Sequence, residues 1–135
     1  MRLMPLTYTD DQRRGYLEFI DRIGIKWVGV FEGDTEFYNA AYWDLFTHLW
    51  RNPAPIRKTD AGRAITGVKS PLTAAKYIDT ALQRGLLVEK DNPEDARSKL
   101  LALSPPMRAQ LDTFFDDAVH ELRNAARDVE KRGAG

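Results

Sequence analysis

The chain has 135 residues, no cysteine, and equal numbers of basic and acidic side chains, 20 of each. That length suits one domain spanning residues 1–135 with a hydrophobic core, and the absence of cysteine excludes disulfides, zinc fingers and thiol catalysis. The 43% apolar and 30% charged composition is globular, and no apolar run nears the ~18 residues of a membrane helix or resembles a signal peptide, so the expected location is cytoplasmic, with no membrane partner.

In chain order, Tyr16, Leu17, Phe19, Ile20 and Ile23 recur at mixed three- and four-residue spacing. This predicts an amphipathic helix from Tyr8 to about Gly24, begun near Thr9 or Asp10. Residues 24–33 carry IKWVGVFE between glycines and fit either a strand or a continuation of that helix. Asp34 is a suitable N-cap for a helix through TEFYNAAYWDLFTHLWRN, stopped before Pro53, with Phe37, Ala41, Leu45 and Leu49 as its buried stripe. Pro53 and Pro55 predict a loop, and Thr59 is expected to cap a short helix DAGRAIT closed by Gly67. Ser70 is expected to cap the next helix, which starts at Pro71 and ends at Gly85.

Two short apolar strands follow, Leu86 to Lys90 and Lys99 to Leu103, joined by the turn DNPED. Ser104 then caps a long last helix with Pro105 and Pro106 in its first turn. Its apolar stripe runs Met107, Leu111, Phe114, Ala118, Leu122, Ala125, Val129. That stripe is too long for one small core, so a partner helix is expected to cover part of it, most simply from a second subunit.

Short helix, glycine turn, second helix, then a charged hairpin is the outline of a winged helix-turn-helix, mainly α with a small β-hairpin wing. Charge is distributed to match. From Arg51 to Leu103 there are ten Lys or Arg against six Asp or Glu, a balance of +4, and the remainder carries −4. A basic centre between acidic ends is expected when one segment faces phosphate.

On the 70–84 helix, Ala74, Ala75, Ile78, Ala81 and Leu82 lie on one side. Thr73, Lys76, Tyr77, Thr80 and Arg84 lie largely on the other, offering hydroxyls and cations to base edges and phosphates of a major groove. Ser70 and the first-turn N–H groups suit a phosphate oxygen. In the 86–103 wing, Asp95 stands two residues before Arg97 and is expected to orient that guanidinium toward a narrow minor groove, with Lys90 and Lys99 adding phosphate contacts.

The stretch TAAKYIDTALQRGLLVEKDNPEDARSKLLALSPPMRAQLD resembles the DNA-binding half of the MarR family of transcriptional regulators. Gly85-Leu86-Leu87, Asp95-Ala96-Arg97 and Leu103-Ser104 fall in the order and at the distances of that family's motif. Ala81 departs from its usual leucine, Ala96 from the second wing arginine, and Ser104 from threonine; GRAITGVKSPL matches only loosely. The resemblance implies a homodimer, with residues of about 8–33 and 105–132 as dimerisation helices and about 34–104 as the DNA-binding part. Its two recognition helices would read a palindromic operator in duplex DNA, with repression the expected sign of regulation. It also implies a small aromatic effector near the junction of the two parts. There Trp27, Phe31, Phe37, Tyr38, Tyr42, Trp43, Phe46 and Trp50 gather, although the first reading of these rings is as core and dimer interface.

Catalysis is not expected. His48 and His120 lack ligand-spaced neighbours, Asp116 and Asp117 read as a solvated face, and no phosphate-cradling loop or nucleophile elbow is present, so no metal or cofactor is predicted. The rival readings are a winged-helix protein-interaction module without DNA binding and an architectural DNA binder without sequence preference.

Overall fold

The first helix is set by a reciprocal cap. The Thr9 hydroxyl accepts the Gln12 N–H at 3.1 Å while the Gln12 side chain accepts the Thr9 N–H at 2.9 Å, satisfying two donors that a helix start leaves open. The computed structural model describes residues 5–68 and 70–134; Lys69, counted in the basic centre, lies outside them. Helix α1 runs Asp10–Val30, so residues 24–30 continue the helix instead of forming a strand. Gly24 has a packing reason: a Cβ there would meet the Tyr38 hydroxyl at 2.9 Å. The helix stops at Phe31 with the Gly33 N–H bonded to Val28 O and the Glu32 N–H to Gly29 O, and Glu32 itself takes the left-handed position at φ 56°.

Asp34 is a cap, but of a 3-10 turn, Thr35–Phe37, rather than of a long helix. A second cap, Asn39, then accepts the Tyr42 N–H at 3.0 Å and starts α2, Ala40–Arg51. The expected single helix is thus broken in two, because its first four residues turn to place Phe37 in the core. The stripe of Phe37, Ala41, Leu45 and Leu49 is buried as read from the sequence.

After the proline loop comes a two-residue strand absent from the sequence reading, β1 (Ile56–Arg57), and then α3, Lys58–Arg63. Arg57 occupies the cap position of α3 without a side-chain bond, so Thr59 falls inside the first turn and does not cap it. Gly67 supplies the left-handed turn at φ 78°. Helix α4 spans Pro71–Gln83, with Ser70 at the cap position and Pro71 first. The Gly85 N–H bonds to Leu82 O and the Leu86 N–H to Ala81 O, closing the helix around a glycine at φ 72°.

Strand β2, Leu87–Asp91, starts one residue later than expected, and β3 is Lys99–Leu103. The antiparallel sheet has the order β1-β3-β2, with Ile56 opposite Leu101 and Glu89 opposite Leu101 on the other side. Ser104 caps α5, Pro105–Ala134, its hydroxyl accepting the Met107 N–H at 3.3 Å.

Rings fill the centre. Trp27, Phe31, Phe37, Tyr42 and Phe46 are buried in mutual contact, joined by Phe114 from α5, and each such side chain contributes ~1.5–3 kcal/mol of burial. Trp27 Nε1 donates to the Phe37 carbonyl at 2.9 Å, so the one polar atom of that ring is satisfied. The far half of α5 lies antiparallel on α1: Gln12 Nε2 donates to Val129 O at 3.0 Å and Arg22 pairs with Glu121 at 2.9 Å. Arg132 closes the seam against Asp11, Glu18 and Asp128. The chain's own α1 therefore covers part of the long α5 stripe. Leu122 and Val119 of α5, and Tyr16, Leu17 and Ile20 of α1, stay largely exposed.

Candidate nucleic-acid interface

Helix α4 is held by its small inner face. Ala74, Ile78 and Ala81 are buried against the core, and Ala74 lies 3.5 Å from a Cβ built on Gly62 of α3, so the two helices meet closely. That packing turns Thr73 and Lys76 outward into solvent. Leu72, which the sequence reading passed over, is 69% exposed on the same outer side. An exposed leucine beside a lysine and a threonine suits the methyl group of thymine as well as any of the predicted contacts. Its signal was its position: a leucine off the buried register of an otherwise well-sorted helix.

Ser70 sits at the helix start with its hydroxyl making no capping bond; only its carbonyl is used, accepting the Ala74 N–H at 3.1 Å. It borders a groove of about 860 Å³ between α3, the start of α4 and the wing, floored by Ile65, Val68 and Ile78. Arg97 and Lys99 stand on its other rim, with Lys58 and Arg63 nearby. The fold thus brings Ser70, Arg97 and Lys99 to one depression although the sequence separates them.

At the wing the Asp95 carboxylate does not hold the Arg97 guanidinium. It accepts the backbone N–H of Arg97 at 3.0 Å, and the Asp95 carbonyl accepts the Ser98 N–H, so residues 92–98 form a compact turn rather than extended strand. The expected same-side pairing therefore gives way to a turn in which Asp95 shapes the backbone and leaves Arg97 projecting. Lys99 pairs with Asp91 across the hairpin, which holds that carboxyl below the ordinary range. Among the described residues Lys76, Lys90 and Arg97 enter no ion pair.

The other end of α4 is different. Tyr77 is half-buried, its ring edge-on to Tyr42 at 5.1 Å, and Thr80 lies beside the Tyr42 phenol. Burial raises the Tyr42 phenol above its usual range, and the nearby Thr80 hydroxyl partly offsets this. Arg84 Nη2 donates to Asp34 at 2.9 Å, its Nη1 to Glu36 at 3.3 Å, and its guanidinium carbon stands 5.1 Å from the Phe37 ring centre. The Asp34 carboxyl is held below the ordinary range, first by the Glu36 backbone N–H and then by Arg84. Of the ten predicted residues, then, Ser70, Thr73, Lys76, Lys90, Asp95, Arg97 and Lys99 lie exposed on the α4 and wing surface; Tyr77 and Thr80 are half-buried beside Tyr42, and Arg84, also exposed, is committed to Asp34 and Glu36.

Among the described residues no helix is long and apolar enough to cross a membrane, and no group of three His, Asp or Glu side chains converges to hold a metal ion.

No protein-family model matches the sequence, and no curated protein does. Solved structures do. The fold matches a MepR mutant of S. aureus bound to an oligodeoxyribonucleotide at TM-score 0.63 and 15% identity, over 89% of this chain and 84% of that one. It matches the transcriptional repressor CouR bound to a 23-mer DNA duplex at TM-score 0.55 and 22% identity, over 91% and 89%. A MarR family transcriptional regulator from Streptomyces coelicolor in complex with DNA matches at TM-score 0.52 and 18% identity, over 94% and 80%. The chain has the winged-helix fold of MarR-type regulators.

Proposed function

We propose that the protein is a sequence-specific duplex-DNA-binding transcriptional regulator of MarR type that represses its targets. The observation that carries this reading is that the outer residues of α4 (Leu72, Thr73, Lys76) are exposed while, at the start of the same helix, Ser70 shares one groove with the uncommitted wing arginine Arg97. Uncommitted cations beside an exposed helix face are what phosphate and groove contacts require. CouR, a repressor solved on duplex DNA, supports the sign of regulation.

The assembly is a homodimer on a palindromic operator. Tyr16, Leu17, Ile20, Val119 and Leu122 remain uncovered on the α1–α5 pair, and a second copy buries them while relating two recognition helices by a two-fold axis. Residues 34–104 form the DNA-binding part, in the cytoplasm. The expected small aromatic effector would have to enter beside the ring cluster, most of whose rings pack against one another as core; the groove next to it, of about 440 Å³ between the end of α1 and α5, is rimmed by Lys26, Glu32, Gln110, Thr113 and Asp117.

The test is binding to duplex DNA from the protein's own upstream region, titrated against salt. Affinity should fall steeply with ionic strength and exceed that for random duplex. Absence of binding at low salt moves the reading to a protein-interaction module, and equal affinity for every duplex moves it to an architectural binder.

A further inference from the structure

The recognition helix and α1 both grip the same short turn. From α1, Trp27 Nε1 holds the Phe37 carbonyl at 2.9 Å and Phe31 stacks on the Phe37 ring with centroids 4.8 Å apart. From the C-terminal end of α4, Arg84 spans Asp34 and Glu36 with two separate N–H groups while its guanidinium carbon stands 5.1 Å from the Phe37 ring centre. Phe37 is fully buried between them. A fork that meets two carboxylates and a ring at once is satisfied in one orientation only. Its worth is geometric, since half-exposed ion pairs add little to stability.

We propose that Arg84 is a positioning residue: its grip on the Asp34–Phe37 turn fixes the angle of α4 relative to α1, and so how the recognition surface is presented to a duplex. This departs from the sequence expectation that Arg84 touches DNA, and it rests on the regulator reading above. If α1 belongs to the dimer base, the turn is the joint through which the base sets the pitch of each recognition helix. Tyr77 and Thr80 brace the same joint through Tyr42.

Charge separates the two roles. Asp34→Asn with Glu36→Gln removes two negative charges and keeps the turn's cap, because asparagine caps as well as aspartate. Long-range electrostatics alone would make this variant bind DNA more tightly. The proposal expects the reverse: about tenfold weaker binding to the upstream duplex, with binding to random duplex unchanged or tighter. Arg84→Met should lose specific affinity by a similar factor while its salt slope matches the wild type. Thermal melting and sedimentation of both variants report whether fold and dimer survive, and comparison is made below the melting transition.

Equal or tighter specific binding by the acidic-pair variant overturns the proposal, as does a salt slope lowered by about one in Arg84→Met, the mark of a lost phosphate contact. If the wild type prefers no duplex, the regulator reading fails on its own, and hydrogen exchange decides the joint. Amides of the last turn of α4 and of residues 34–38 should then exchange faster in both variants, and unchanged exchange sinks the proposal.

Discussion

The two ends of the α4 surface use the same residue types for opposite ends. At the wing, Asp95 and Arg97 stand two residues apart, yet the carboxylate takes a backbone N–H and the guanidinium is left to solvent. At the far end of the helix, Arg84 is 50 residues from Asp34 and is bound to it, to Glu36 and to a ring. Nearness in sequence did not make the pair; the fold did. An arginine is available to a ligand where the chain brings it no carboxylate, and it becomes part of the framework where the chain brings two.

The largest effect that would sharpen this contrast is at Phe37. Truncation to alanine removes a fully buried ring shared by α1, the 3-10 turn and the Arg84 stack, and should cost about 3–5 kcal/mol in denaturant unfolding. A loss near zero would mean that the joint is not part of the core at all. Arg97→Ala is the counterpart: unfolding free energy and dimerisation unchanged, specific DNA affinity down by about tenfold or more. Should that mutant bind its duplex as well as the wild type, the exposed wing arginine has no role in recognition.

What the sequence disclosed follows the same division. Features written in local periodicity were legible: the α5 stripe and its Ser104 cap, the α2 stripe, the glycine end of α4, the hairpin and its order after α4; the glycine ends read at Gly24 and Gly67 were not, since α1 runs on to Val30 and α3 stops at Arg63. Features that depend on a distant partner were not. Residues 24–30 stay helical with Gly24 under Tyr38, a contact that no spacing rule contains. The two residues of β1 are a strand only because β3 supplies Leu100 and Leu101 as partners. The surface itself was partly legible, since solvent-facing positions of α4 follow from helical period; the commitment of Arg84 was invisible because its partners lie before α2, and Leu72 was passed over because polarity guided the choice of contacts.

A smaller test concerns the two helix ends that flank the joint. Both close with the same pair of backbone bonds around a left-handed residue, Gly85 after α4 and Glu32 after α1. No atom lies within 4 Å of a Cβ built at Gly85, so Gly85→Ala is charged only for its φ, about 1–2 kcal/mol. Glu32→Gly relieves the corresponding strain and should stabilise by up to about 1 kcal/mol, less whatever the glycine adds to unfolded-state entropy. Matching losses from both substitutions would show that φ does not govern these ends.

The smallest effect is acid dependence, and it tests the joint against the wing directly. The Glu36 N–H and then Arg84 hold the Asp34 carboxyl below its ordinary range; in the wing Lys99 does the same for Asp91. Each folded carboxyl therefore takes a proton less readily than its unfolded counterpart. Each contribution is fully present above about pH 4 and fades as pH falls through the folded value. Solvent screening keeps both small, so the pH dependence is the readout rather than the size. The stability gap between wild type and Asp34→Asn should be constant near neutrality and shrink in acid, and Asp91→Asn should behave alike. Their DNA binding should part company. Asp34→Asn weakens specific binding because it loosens the Arg84 grip, whereas Asp91→Asn removes a negative charge beside Lys99 and frees that cation for phosphate, which tightens binding at low salt. The same substitution at two carboxylates, each paired to a cation, would then move affinity in opposite directions, and a shift of the same sign at both would erase the distinction between joint and wing.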